Sequence, residues 1–254
     1  MPGPDIVLVD RSREPAGTPR LEQVARALQT QVDRDFSMVW GVGARVGAAP
    51  AGTTPAGAWS ISVVHGGVAA PGIRAGADGC PHAVVRSGPD WTISVSHALL
   101  EMISDPDGTR FIEGIDVTPG TPVRRVRYLL EVCDPCQVFH YEVDGVPVSD
   151  FVTPDYYRVD AAPGTAMDFL RRLSRPLQVA RGGYLCWQDP ADGRWHQKRP
   201  DGAFTISADP LDPGGNPRAD RDAAFAGDSA RHDVQAIRRA YVSRRGRGTR
   251  IPDS

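Results

Sequence analysis

The sequence predicts an α+β fold, and three observations carry that prediction. A short apolar run, Asp5-Ile-Val-Leu-Val-Asp10, precedes residues whose apolar positions recur at spacings of three and four from Leu21 to Val32. Helical periodicity returns around Leu99, Leu100, Met102 and Ile103. After Tyr128 the apolar segments are short, and the turn pair Asp144-Gly145 separates two of them, as in a β-hairpin.

Asp5 to Asp10 reads as a buried strand. The helix that follows presents Leu21, Val24, Ala25, Leu28 and Val32 on one face, with Pro19 near its start, where a missing N–H costs little. It is expected to end near Asp35. Met38 to Val46 and Trp59 to Val64 read as strands separated by a Gly/Ala/Pro/Thr-rich loop from Gly47 to Gly57, and His82 to Arg86 as another short strand. A second helix ends where Pro106 turns Asp105 away from helical geometry. Tyr128 to Val132, Gln137 to Val143 and Val146 to Val152 read as strands. Residues 1–207 are therefore expected to form one domain, with the N-terminal sheet and helices in 1–110 and a β-rich part in 111–207. Residues 208–218 have the Pro/Gly density of a linker. Residues 219–254 form a tail, with a short helix expected from Ala230 to Tyr241 and with Arg238, Arg239, Arg244, Arg245, Arg247 and Arg250 as a basic run that fits an acidic partner or a solvated end.

Composition excludes several classes. With 29 Lys and Arg against 31 Asp and Glu, the net charge of −2 provides no global field for nucleic acid or an anionic membrane. The N-terminus has neither a basic region nor an apolar core of signal-peptide length, so the expected location is cytoplasmic, or reached by a non-classical route. Four cysteines are too few for a disulfide scaffold over 254 residues. No Gly-rich phosphate loop, G-x-S-x-G elbow or dinucleotide fingerprint occurs.

The chemistry-bearing pattern is His97 and Glu101. Four residues apart on a helix, their side chains leave the same face and can converge on one ion. Zinc accepts imidazole nitrogen and carboxylate oxygen, and a third protein ligand leaves one position for water. Asp105 extends the stripe at the same spacing, and Asp107 lies just past the helix end. Asp134 and Glu131 are alternative third ligands on the chain that follows.

The order strand, helix, strands, then a helix bearing His-x-x-x-Glu is similar to the zincin metallopeptidase architecture. Ser96-His97-Ala98-Leu99-Leu100-Glu101-Met102 resembles an H-E-x-x-E variant of the H-E-x-x-H motif with alanine at the first glutamate. The resemblance covers about the first 110 residues. Ser-His-x-Leu-Leu-Glu-Met-x-x-Asp-Pro, Glu-Val-Cys-Asp-Pro and Val-Ser-Asp-Phe-Val-Thr-Pro also resemble segments of a group of bacterial and phage-encoded zincin-like proteins, in which glutamate typically follows the histidine. The resemblance implies a mixed twisted sheet with an N-terminal helix and an active-site helix, one zinc ion, a peptide or protein substrate, and peptide-bond hydrolysis by metal-activated water. Ala98 then occupies the position of the general base, by natural loss or by engineered inactivation, and the chain is expected to be inactive. A non-enzymatic binding or assembly protein on the same fold, such as a phage or particle component, is the alternative.

Other candidates stay open at this level. Cys133-Asp-Pro-Cys136 has C-x-x-C spacing without the second pair that a structural zinc requires, which leaves structural, redox and metal roles. Asp150 can act as a ligand or as an acceptor for His97, and Tyr156 or Tyr157 as a donor to a developing oxyanion. His65-Gly66-Gly67 is a candidate strand exit beside a cleft that adds an extended peptide to a sheet edge.

Overall fold

The computed structural model describes residues 3–11, 18–50, 53–64, 72–75, 79–116, 122–200 and 202–206. The basic tail, the linker and His65 to Gly67 lie outside them. The fold is α+β. Strand β1 (Asp5–Arg11) leads to helix α1 (Thr18–Thr30), which continues through a π-helical stretch (Gln31–Phe36) into the single turn α2 (Ser37–Trp40). Strands β2 (Arg45–Ala49), β3 (Trp59–Val64), β4 (Gly72–Ala75) and β5 (Pro81–Arg86) precede helix α3 (Trp91–Ser104). Then come β6 (Phe111–Ile115), β7 (Arg125–Leu129), the hairpin β8 (His140–Val143) and β9 (Val146–Ser149), and β10 (Leu185–Gln188), β11 (Trp195–Arg199) and β12 (Gly202–Ile206).

The first sheet has the order β2-β1-β3-β5-β4 and is mixed. Strand β1 runs parallel to β2 and β3, β3 runs parallel to β5, and β4 closes one edge antiparallel to β5. The second, β12-β11-β10-β7-β6, is antiparallel throughout. Helix α1 packs against β1 and β2, α3 packs against β3, β4 and β5, and both helices meet β9. Ile6, Leu8, Leu28, Ile61, Leu99 and Leu100 are fully enclosed in the core between these elements. Among the described residues no helix is long and apolar enough to cross a membrane.

Several boundaries differ from the sequence expectation. Met38 to Trp40 is helical, and the strand begins only at Arg45. The π-helical stretch carries the helix past Asp35 with Phe36 in the core, and the Trp40 indole N–H donates to the Val152 carbonyl at 2.8 Å. Gly41, at φ +68°, then ends the helix, and its N–H returns to the Ser37 carbonyl. Alternation at Met38, Val39 and Trp40 is misleading because Met38 points into solvent. Strand β7 stops at Leu129, short of the expected Val132, because Glu131 to Cys133 leave the sheet to pass α3. Gln137 to Phe139 are a turn, since the Phe139 N–H bonds the Cys136 carbonyl. The helix stop at Asp105 and the Asp144-Gly145 hairpin are as expected.

Helix, π-helical stretch and hairpin are joined through Ser96. Its buried hydroxyl donates to Gln31 Oε1 at 2.7 Å and accepts from the Ser149 N–H at 2.9 Å, while Gln31 Nε2 donates to the Ser149 carbonyl at 2.9 Å. Each of these groups is cut off from water, so losing one partner leaves buried groups unsatisfied. Ser96→Ala is expected to destabilise the protein by about 1–3 kcal/mol in urea denaturation with the far-ultraviolet circular dichroism unchanged. A loss under about 0.5 kcal/mol would show that the network is dispensable.

Candidate metal centre

Helix α3 is a core helix with one open stripe. Ten of its fourteen residues are buried, and the others are Trp91, Ser94, His97 and Ala98. Ser94 and Ala98, and His97 and Glu101, are i,i+4 neighbours, so all four share a face. His97 lies on the open part of this face, with 21% of its side chain exposed. Glu101, one turn further, is covered. Ala98 stands beside His97 on the open side.

The cover over Glu101 is the turn Cys133–Gln137. A 3-10 turn, Asp134–Cys136, starts with Cys133 capping it and Pro135 inside it, where a missing N–H is harmless. The Cys133 N–H donates to Glu101 Oε1 at 2.8 Å. This bond sets the Asp134 carboxylate against the imidazole, with Asp134 Oδ1 3.2 Å and Glu101 Oε1 4.0 Å from His97 Nε2. Ligand atoms from His97, Glu101 and Asp134 all lie within 4.8 Å of one another, the only such group of three or more among the described residues.

The donor set fits a divalent cation. Bonds of about 2.0–2.2 Å to nitrogen and oxygen in a tetrahedron put neighbouring ligand atoms about 3.4 Å apart, close to the spacing found here. Two carboxylates, each with 6% of its side chain exposed, face one imidazole. Two buried carboxylates beside one imidazole are donor types that a divalent cation accepts.

The other expected site residues lie elsewhere. Asp105 is not brought to the trio: its carboxylate accepts the Thr109 and Arg110 N–H groups at 3.0 and 3.2 Å, stapling the turn after α3. Asp107 is exposed in that turn. Asp150 accepts the Phe151 and Leu170 N–H groups, and its carboxylate serves the loop after β9 and not His97. Glu131 is buried, its side chain is outside the trio, and its carbonyl accepts the Tyr157 hydroxyl at 3.2 Å. That bond occupies Tyr157 as a donor. Tyr156 is wholly enclosed, its ring edge-on to Tyr157 at 5.0 Å. Neither phenol faces an open cleft, and burial pushes both far up from the usual tyrosine range. The Cys133 and Cys136 thiols are buried and not joined to each other, and burial, with the Glu101 carboxylate near Cys133, raises them as well. The backbone of the pair closes the turn: the Cys133 N–H donates to Glu101 and the Cys136 N–H to the Cys133 carbonyl at 3.1 Å.

Sequence reasoning missed the clamp behind this turn. The Ala180 N–H donates to the Pro135 carbonyl at 2.9 Å, the Tyr184 N–H to the Asp134 carbonyl at 3.2 Å, and Gln137 Nε2 to the Gly182 carbonyl at 2.8 Å. The two backbones approach so closely at Gly183 that a Cβ there would lie 2.5 Å from the Pro135 oxygen and 2.7 Å from the Asp134 oxygen. Arg181-Gly-Gly-Tyr184 is the only local sign of this contact, and it names no partner.

Gly183→Ala must force the two backbones apart and shift the Asp134 turn from its place against α3. It is expected to lower affinity for added zinc by about 10-fold to 100-fold, as supports of metal ligands do, and to destabilise the fold by about 1–3 kcal/mol. Calorimetric titration of both forms measures the first effect, and unchanged affinity would show that the clamp does not position Asp134.

No family model, no curated protein and no solved structure matches the chain.

Proposed function

We propose that the chain is a zincin-like, metal-dependent peptidase scaffold in which His97, Glu101 and Asp134 hold one zinc ion and Ala98 leaves the site without its general base. The observation that carries this reading is the convergence of the three ligand groups at the open stripe of α3, with Ala98 next to His97 on that stripe. The mixed sheet, the N-terminal helix and a second helix bearing His-x-x-x-Glu support it.

A bound zinc ion supplies Lewis acidity and lowers the pKa of a coordinated water. The protein's own groups divide the remaining work. His97 would contribute a ring nitrogen, and Glu101 and Asp134 would contribute carboxylate oxygens that offset the cation's charge. The Cys133 N–H holds Glu101 and thereby fixes the carboxylate's direction. Position 98 is where a carboxylate would take a proton from the attacking nucleophile, and a methyl group cannot. Bound peptide is therefore expected to remain intact. A chain that retains a metal site and an open face without turnover also fits a binding role, with the open stripe of α3 holding a peptide or protein segment.

Purified protein is expected to hold about one equivalent of zinc per chain. His97→Ala and Asp134→Ala are expected to abolish that metal and Glu101→Ala to weaken it strongly, whereas Asp105→Asn leaves it in place; elemental analysis reads all four. Full retention in the first three variants would refute the site. Ala98→Glu, loaded with zinc and given a mixed peptide library, is expected to show chelator-sensitive cleavage by mass spectrometry at a rate about 10²–10⁴-fold above the parent chain. Silence from a metal-loaded Ala98→Glu protein would assign the fold to binding.

A further inference from the structure

Away from the metal centre, the loop that follows β9 folds back on itself and closes at its base. The Phe169 N–H bonds the Phe151 carbonyl at 2.9 Å, the Thr153 N–H bonds the Met167 carbonyl at 2.9 Å, and Val152 bridges Asp168. At this closure two aspartates, Asp150 and Asp168, are completely buried with their carboxyl groups within hydrogen-bonding reach of each other. Four backbone amides point at them. Asp150 Oδ1 accepts from Phe151 and Leu170 at 2.8 and 3.2 Å, and Asp168 accepts from Arg172 on Oδ2 and from Leu173 on Oδ1 at 2.9 and 2.7 Å. Asp150 Oδ2 has no donor among the described residues.

Both oxygens of Asp168 are thus committed as acceptors, and Asp150 Oδ2 is the one oxygen of the pair without a donor. Two acceptors can meet there without repulsion only if a proton lies between them. The surroundings favour one negative charge and not two: each carboxyl group has only two N–H donors, both Asp168 oxygens are served while only one Asp150 oxygen is, and complete burial opposes a second charge. The donors are also wrong for a cation, since amide N–H groups repel one.

We propose that Asp150 and Asp168 share one proton and form a pH-sensitive latch that closes the segment from Phe151 to Leu173, with Asp150 as the protonated partner and Asp168 as the carboxylate. The latch has a route to the metal centre. The closed segment carries Tyr157, which bonds the Glu131 carbonyl, and the Val152 N–H bonds the Val132 carbonyl at 2.7 Å, so the chain leading from β7 into Cys133 and Asp134 rests on it. The other ionisable groups facing the pair are the Cys133 and Cys136 thiols from the metal-site turn and the Tyr141 phenol from β8, which is bonded to Asp35. Burial, and then the Asp168 carboxylate, hold the Asp150 carboxyl well above the usual carboxylate range. A raised native value means stability that is fully present below the unfolded value and is lost as pH rises through the native one.

Denaturation midpoints of the full chain, measured from about pH 5 to about pH 9, test the latch. The parent midpoint is expected to fall across that range. In Asp150→Asn an amide NH₂ replaces the shared proton, so the fall should flatten and the variant should be the more stable form at the upper end. Asp168→Asn, which turns an NH₂ toward an amide N–H, should be less stable throughout. Identical pH dependence in the parent and Asp150→Asn would overturn the proposal. Carboxyl carbon-13 shifts of the unmodified protein provide a second reading that needs no variant to fold: the Asp150 signal should stay protonated through the ordinary carboxylate range, and ionisation within that range would equally overturn it.

Discussion

The Cys133 N–H donating to the Glu101 carboxylate is the contact on which the candidate site depends. Glu101 belongs to a helix whose remaining turns are packed into the core, so it cannot move far. The amide comes from a chain that has just left the antiparallel sheet and has no ladder partner of its own there. One hydrogen bond to a charged acceptor therefore satisfies a buried donor, orients a buried carboxylate and brings the next residue, Asp134, within reach of His97. Without it, Glu101 would lose the donor that orients its carboxylate, and Asp134 would sit on a turn no longer tied to α3.

Two further sets of bonds keep this contact in register. From the α3 side, Ser96 ties the helix to Gln31 and Ser149 just one residue before His97. From the other side, Ala180 to Tyr184 press the turn against the helix, close enough at Gly183 to exclude any side chain. The π-helical stretch is part of the same design, since it extends α1 to the buried Gln31 and Phe36. Such insertions recur where a helix must present a side chain out of its normal phase. The resulting arrangement is expensive in isolation, because two buried carboxylates beside one imidazole oppose folding. A divalent cation bound there would reverse the sign of that interaction and couple metal binding to the stability of the turn.

Much of this was legible in the sequence, but unevenly. His97 and Glu101 followed from spacing alone, because i,i+4 positions on a helix share a face whatever surrounds them. Asp105 had the same spacing and failed, since the helix ends at Ser104 and the free Thr109 and Arg110 amides capture its carboxylate. Asp134 was among the alternatives, but choosing it over Glu131 or Asp150 required knowing where the chain crosses α3, which is a long-range fact. Met38 to Trp40 misled because an exposed Met beside Val and Trp imitates strand alternation, although Gly41 carried the helix-stop signal. Asp150 was singled out for its chemistry and assigned to the wrong partner, since nothing local indicates that Asp168 lies beside it.

The central claim is that His97, Glu101 and Asp134 bind one metal ion together. Anomalous diffraction at the zinc absorption edge, from crystals of the chain grown with zinc, tests it most directly. The account predicts one strong peak at about 2.0–2.2 Å from a His97 ring nitrogen and from a carboxylate oxygen of both Glu101 and Asp134. A peak on the cysteine pair, or none at these three residues at full zinc loading, would contradict it.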